Sequence, residues 1–224
     1  GLDELFMDDK ERAESKLPKI HEIPLSEIDE FPNHPFHVRL DEAMDQLVES
    51  IKERGIITPV TLRQKPDGRY EIVSGHRRTK ACELAGLATV KAEIKELSRD
   101  EAIILMVESN LQRTTILPSE KAFSYKMRLE AMNRQGQRTD LTSVPLGQKL
   151  GKTSREVLAD SSTDSNTQIQ RYIRLTHLIP PLLDLVDSGK IAFRPAVELS
   201  YLTEEEQNSL LDSINSEQST PSLA

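Results

Sequence analysis

An α+β chain is predicted, with a small mixed α/β unit first and an all-helical unit after it. Three observations point that way. Residues 20–97 mix strand and helix spacing around a Pro-Asp-Gly turn, residues from 98 onward keep only the helical period, and Gly, Pro and capping residues punctuate both stretches. The 224 residues suffice for one large or two modest domains with real cores.

Residues 1–19 are polar and acidic with little period and read as a flexible leader. Leu40, Met44, Leu47, Val48 and Ile51 then recur at helical spacing, with Asp41 and Glu42 in the first turn and Gly55 as the stop. Val60 and Leu62 alternate, Lys65-Pro66-Asp67-Gly68 turns the chain, and Tyr70, Ile72 and Val73 return, which predicts a hairpin. Ser74-Gly75-His76-Arg77-Arg78 opens a short helix through Ala81 and Leu84 to Gly86, and Val90, Ala92 and Ile94 suggest one more strand.

Ser98 with Glu101 reads as a capping box for a helix ending near Arg113. Pro118 opens the next, with Phe123, Met127 and Ala131 on one face and Gly136 as its stop. Loops with a short helix are expected over 136–153, and two helical segments over 154–178 around a polar stretch. Pro180-Pro181 opens a helix to Gly189, Pro195 starts another, and Thr203 with Glu206 caps the last. The Ser-rich end from Ser213 is expected to fray. The domain reading is 1–19, 20–97, 98–135, 136–214 and a disordered tail, 215–224.

Composition excludes several classes. No apolar run reaches the ~20 residues a membrane helix needs. The single Cys82 rules out an internal disulfide framework and fits a reducing cytosol. The net charge of −8 argues at first against nucleic acid, but its distribution leaves polyanion binding open without demonstrating it. Residues 1–30 and 196–224 each carry −6, so 31–195 carry +4. Screening limits charge effects to roughly 8–10 Å, so a local basic surface is what a polyanion meets.

Four segments carry chemistry-bearing residues. In Ser74-Gly75-His76-Arg77-Arg78-Thr79-Lys80, a helix start offers unpaired N–H groups and positive dipole to phosphate, and two arginines add fork-shaped donors. A solvated basic helix start reads the same way. In Glu108-Ser109-Asn110-Leu111-Gln112-Arg113, Glu108 and Asn110 supply hard oxygens suited to a magnesium–phosphate complex and Arg113 suits the phosphate, although an ordinary polar helix end fits too. Asn33-His34-Pro35-Phe36-His37-Val38-Arg39 has two histidines without any zinc spacing and reads as a loop. His21 and His177 read as surface or boundary residues, and Cys82 as a helix-packing residue. Finally, Ile169 falls ten after Ala159, with Tyr172 three later, the spacing of a helix-turn-helix. Asn166, Thr167, Gln168, Gln170 and Arg171 would face outward, types that hydrogen-bond bases or phosphates. Thr163 and Asp164 make a poor turn, and generic amphipathic helices fit nearly as well.

In this order the pieces resemble the ParB/RepB family of DNA-partition proteins, of plasmid or mobile-element type, over roughly residues 20–202. The resemblance rests on Gly55-Ile56-Ile57-Thr58-Pro59-Val60, Gly75-His76-Arg77-Arg78-Thr79-Lys80-Ala81, Asn110-Leu111-Gln112-Arg113 with Leu117-Pro118-Ser119-Glu120-Lys121-Ala122, and Gln168-Ile169-Gln170-Arg171-Tyr172-Ile173-Arg174-Leu175 with Gly189-Lys190-Ile191. Gly1-Leu2-Asp3-Glu4-Leu5-Phe6 is similar to the family's short leader.

The resemblance implies a ParB/sulfiredoxin-like nucleotide-binding unit, completed by a helical linker, and a helix-turn-helix reading a palindromic centromere-like site in double-stranded DNA. It implies CTP and Mg²⁺ as cofactors, self-association into a sliding clamp on CTP and DNA, slow CTP hydrolysis, a ParA-type ATPase partner and a cytoplasmic, nucleoid-associated place without membrane. By position, Arg39, Gly75, His76, Arg77, Arg78, Thr79, Ser109, Asn110 and Arg113 would hold the nucleotide, Glu108 and Asn110 the metal, and His37 and Glu108 would serve turnover. Asn166, Thr167, Gln168, Gln170, Arg171 and Arg174 would meet DNA. Three positions depart from the family: Ser109 stands for Glu, His37 for Gln and His76 for Glu. No C-terminal dimerisation region is recognisable before Ala224, so a truncated chain is expected. The alternatives are a related regulator of nucleoid-occlusion or transcription type, or a sulfiredoxin-like or kinase-like enzyme.

Overall fold

The computed structural model describes residues 19–113, 115–142 and 164–217, with side chains described up to residue 135 in the second of these stretches and to 216 in the third. The chain divides into two compact units. The first holds Gly1–Pro32 and Val38–Leu97, and the second Asn33–His37 and Ser98–Ala224.

The first unit is a five-stranded mixed sheet under two helices. Its strands are β1 (Ile20–Pro24), β2 (Ile28–Asp29), β3 (Val60–Gln64), β4 (Tyr70–Ser74) and β5 (Thr89–Lys95), in the order β1-β5-β3-β4-β2. β3 and β4 form the expected hairpin, with Arg63 opposite Glu71, and β5 lies parallel to β3 on its other side, with Val60 opposite Ala92. That crossover is made by α2 (His76–Leu84), while α1 (Glu42–Arg54) packs beside α2. Alternation puts Val60 and Leu62 of β3 and Val90 and Ala92 of β5 into the core. They meet Met44, Val48 and Ile51 of α1 and Ala81 and Cys82 of α2.

Asp41 is the N-cap of α1, accepting from the Met44 N–H at 3.0 Å, so the helix begins one residue after it. Leu40 therefore lies outside the helix and is 71% exposed, not on its buried face. Two strands escaped the sequence reading. β1 is an edge strand in which Ile23 alone is buried, so its sequence does not alternate. β2 has two residues, held to the hairpin by ion pairs from Asp29 to Arg69 (2.6 Å) and Lys65 (2.7 Å).

The described part of the second unit is helical: α3 (Arg99–Leu111), α4 (Pro118–Thr142), α5 (Asn166–Arg174), α6 (Pro180–Asp187), α7 (Phe193–Leu199) and α8 (Glu204–Glu217). Both halves of the Ser98–Glu101 capping box are present at α3. Leu175, Leu182, Val186, Ile191, Ala196 and Ile214 form the main core, and Ile169 packs with Tyr125 in a second cluster.

Several expectations are corrected here. α4 runs through Gly136, because an interior glycine costs a helix only ~1 kcal/mol relative to alanine and need not end it. Its buried face is Ala122, Tyr125 and Ala131, while Phe123, expected inward, is 41% exposed. α7 begins at Phe193, two residues before Pro195, and α8 continues past Ser213 to Glu217. The leader before residue 19, the first helix of the helix-turn-helix and the tail beyond residue 217 lie outside the described residues. Among the described residues no helix is long and apolar enough to cross a membrane.

Candidate nucleotide and nucleic-acid sites

Gly75 turns the end of β4 into α2 with φ +100° and ψ 23°, a left-handed conformation that disfavours any side chain. Space forbids one as well. A Cβ there would lie 2.8 Å from Val60 Cγ1 and 3.1 Å from Arg78 Nη2. No side chain caps the α2 N-terminus, and its first turn holds no acid but three basic types, His76, Arg77 and Arg78. Cations at a helix start oppose the dipole. The local arrangement is unfavourable for an isolated helix and favourable once an anion sits on it.

The basic side chains are individually positioned. Arg78 donates to the carbonyls of Thr58 and Pro59, the latter at 2.7 Å, tying α2 to the loop before β3. Burial pushes the Arg78 guanidinium below its usual range, though far above neutrality it stays charged. Arg77 Nη2 donates to Asp41 Oδ1 at 3.1 Å, and that contact holds the Asp41 carboxyl below its usual value. His76 is half-buried as the first residue of α2, and Arg39 is exposed. Thr79 is buried, its hydroxyl 3.4 Å from the Gly75 carbonyl, so it serves the helix rather than the loop.

The remaining candidates for the nucleotide belong to the second unit. Ser109 Oγ and Asn110 Nδ2 both donate to the Met106 carbonyl at 2.9 Å, finishing the last turn of α3. Glu108 pairs with Arg128 of α4, which is 3% exposed. One residue along a helix is a turn of about 100°, which carries Glu108 to the α4 side and away from the direction of Ser109. Among the described residues no three His, Cys, Asp or Glu side chains form a metal cluster. Asn110 is thus the better oxygen donor, and a magnesium ion carried mainly by phosphates needs only one or two from protein.

Sequence reasoning missed Glu120. Its buried carboxylate accepts from the Leu117 N–H (3.1 Å) at the start of α4 and from the His37 N–H (2.9 Å), fastening the Asn33–His37 segment to the second unit. In that segment Asn33 has φ 57°, Phe36 is buried, and His34 meets the Phe36 ring edge-on at 5.6 Å. The His37 side chain is 73% exposed beside Glu120. The proline before Ser119-Glu120 signals a helix start, but nothing local shows that this acid reaches 83 residues back.

α5 carries the residues that the sequence places on the DNA-facing helix. Ser165 caps it, accepting from the Gln168 N–H at 3.3 Å. Ile169 is its buried anchor, and Tyr172 packs between Tyr125 and Phe193 at ring distances of 5.9 and 4.6 Å. Asp164, which breaks the apolar pattern of the turn, accepts from the Tyr125 hydroxyl and Lys121 Nζ, each at 2.6 Å. Asn166, Thr167 and Arg171 are exposed, and Gln168 and Gln170 half-buried. A cleft of about 330 Å³ beside Arg171 is lined by Phe193, Arg194, Val197 and Glu198, so α7 adds Arg194 to this face. Arg174 points elsewhere, to the end of α7, where its Nη2 donates to the Ser200 carbonyl at 2.8 Å.

Comparison with known proteins agrees with this architecture. Residues 9–111 match the ParB N-terminal domain model. The chain is 31% identical over 199 residues to a nucleoid occlusion protein of Halalkalibacterium halodurans, covering 88% of this chain and 62% of that protein. It is 32% identical over 198 residues to the chromosome-partitioning protein Spo0J of Thermus thermophilus, covering 87% and 66%. The chain therefore spans somewhat under two thirds of the length of these relatives. The fold is shared with a C-terminally truncated chromosome-partitioning protein ParB from Caulobacter crescentus, solved with its centromeric parS site, at TM-score 0.50, 23% identity and coverage of 89% and 94%. Residues 9–111 are thus similar to the ParB N-terminal domain family, and the chain's curated relatives include chromosome-partitioning and nucleoid occlusion proteins.

Proposed function

We propose that this chain is a DNA-binding partition protein, acting on a chromosome or plasmid, whose first unit grips the triphosphate of CTP. The observation that carries the reading is the uncapped, wholly basic start of α2 behind a glycine that Val60 leaves no room to replace. Backbone N–H groups there face any bound phosphate, and Arg77 and Arg78 complement its charge. Cytosine as the base, and Mg²⁺ as its companion ion, follow from the family resemblance. When bound on the phosphates, the ion would offset their charge.

In the second unit, Asn166, Thr167, Gln168, Gln170 and Arg171 would meet a palindromic centromere-like site. The names of the relatives support DNA as the partner. On this reading nucleotide and DNA together draw two chains into a clamp, a ParA-type ATPase is a further partner, and any CTP hydrolysis is slow. The nucleoid-occlusion reading is favoured by one of the relatives above and uses the same two modules. A sulfiredoxin-like enzyme is disfavoured: His76 stands where the reactive cysteine would follow the loop glycine, while Cys82 is buried and burial raises its thiol pKa.

Calorimetry with each of the four nucleoside triphosphates, with and without a palindromic duplex, tests the proposal. CTP is expected to bind and the other three not. The Gly75→Ala variant should lose that binding and about 1–3 kcal/mol of stability, because strain at a positive φ and the collision with Val60 add. Equal binding of all four nucleotides, or CTP affinity unchanged by Gly75→Ala, would overturn the assignment.

A further inference from the structure

Resting on the reading of α5 as the DNA helix, we infer that Arg174 does not contact DNA but is the positioning residue that sets α5 against α7. Among the described residues its guanidinium makes two contacts, both to the end of α7. Nη2 donates to the Ser200 carbonyl at 2.8 Å, one of the last-turn oxygens that an α-helix leaves without an internal partner. The guanidinium carbon lies 4.1 Å over the Tyr201 ring, within cation–π range. Its Nε is buried with no hydrogen-bond partner among the described residues, so this charge is drawn into the protein.

The far end of that strut is itself fixed. Ser200 is 2% exposed, with its hydroxyl bonded to the Val197 carbonyl at 2.6 Å. Gln207, equally buried, accepts from the Ile179 N–H and donates to the carbonyls of His177 and Leu202. The turn that receives Arg174 therefore has little freedom to follow a shorter or differently shaped side chain. Arg171, one turn earlier on α5, is exposed and makes no such attachment. Two arginines three residues apart on one helix thus have different tasks, one facing outward and one bolting the helix down.

A fork and a stacking plane are both required, which a lysine ammonium lacks. The salt dependence of DNA affinity separates the roles, since each phosphate contact contributes about one unit to the slope of log K against log salt. The full chain would be titrated by fluorescence anisotropy, over a range of salt, into a palindromic duplex enriched from a random pool by the wild-type protein. Arg174→Ala is expected to weaken binding roughly tenfold with the slope unchanged, as loss of a charge-assisted hydrogen bond would. Arg174→Lys should bind no better than Arg174→Ala despite its charge. Tyr201→Ala, which removes only the stacking partner, should weaken binding in the same slope-neutral way, and it keeps the test alive if the Arg174 variants unfold. Arg171→Ala should lower the slope by about one.

A slope loss of about one in Arg174→Ala, or restoration by lysine, would overturn this inference while leaving the DNA reading intact. If the wild-type chain enriches no duplex, both fall together.

Discussion

His34 carries its ring into the second unit, and that burial lowers its pKa to about 4, against a weaker upward pull from the hydrogen bond at Phe36. Arg113 and His37 add to the lowering, and Glu120 opposes it. The unfolded chain, with an ordinary histidine, takes up the proton first as pH falls. The stability held above the ordinary value is therefore lost between about pH 6.5 and pH 4. Chemical denaturation across that window should show a fall that His34→Leu flattens, and an identical fall in the variant would assign it to other groups. Gly75 was legible as a motif residue from its place between a strand and a basic helix. Its collision with Val60 was not, because the two lie fifteen residues apart and meet only when β3 and β4 pair. Glu120 was invisible for the same reason, as its partner His37 is remote in sequence.

Elements written in local chemistry were the easiest to read. The Pro-Asp-Gly hairpin turn, the Ser98–Glu101 box and the Thr203–Glu206 pair all act within a few residues, and each is present. Elements defined by their neighbours were harder. β1 exists because β5 offers it a ladder from Ile20–Glu93 to Pro24–Thr89, not because its own sequence is strand-like. The start of α4 is likewise completed from afar: Asp187 at the end of α6 accepts from the Ser119 N–H at 2.9 Å and from the Ser119 hydroxyl. Asp187→Ala leaves a part-buried N–H without its acceptor, so a loss of about 1–3 kcal/mol in urea denaturation is expected. Ser119→Ala removes only the hydroxyl bond and should cost less. Equal costs would mean that the backbone bond carries nothing.

At the scale of the whole molecule, charge is segregated: acidic first and last segments flank a middle of net +4. On the proposed function, a polyanion would meet the less acidic middle segment, which contains α2 and α5. If nucleotide and DNA close two chains together, the closed state must be favoured differentially, and moving from 1:99 to 99:1 needs about 5.5 kcal/mol. Sedimentation velocity should therefore show a larger species when CTP, Mg²⁺ and the enriched duplex are added together than with any one alone. An unchanged coefficient would remove the clamp from the proposal. The amino-acid order by itself settled the succession of a mixed α/β unit and a helical unit, the hairpin, the Ser98 and Thr203 caps and the basic helix start, since all depend on periodicity or on contacts a few residues long. Only packing in three dimensions decided that Glu108 pairs with Arg128, that Glu120 secures the Asn33–His37 segment, and that Arg174 braces α7. Each of those is a contact between residues distant in the chain, and a side chain's partner is fixed by where the backbone brings its neighbours rather than by what stands beside it in sequence.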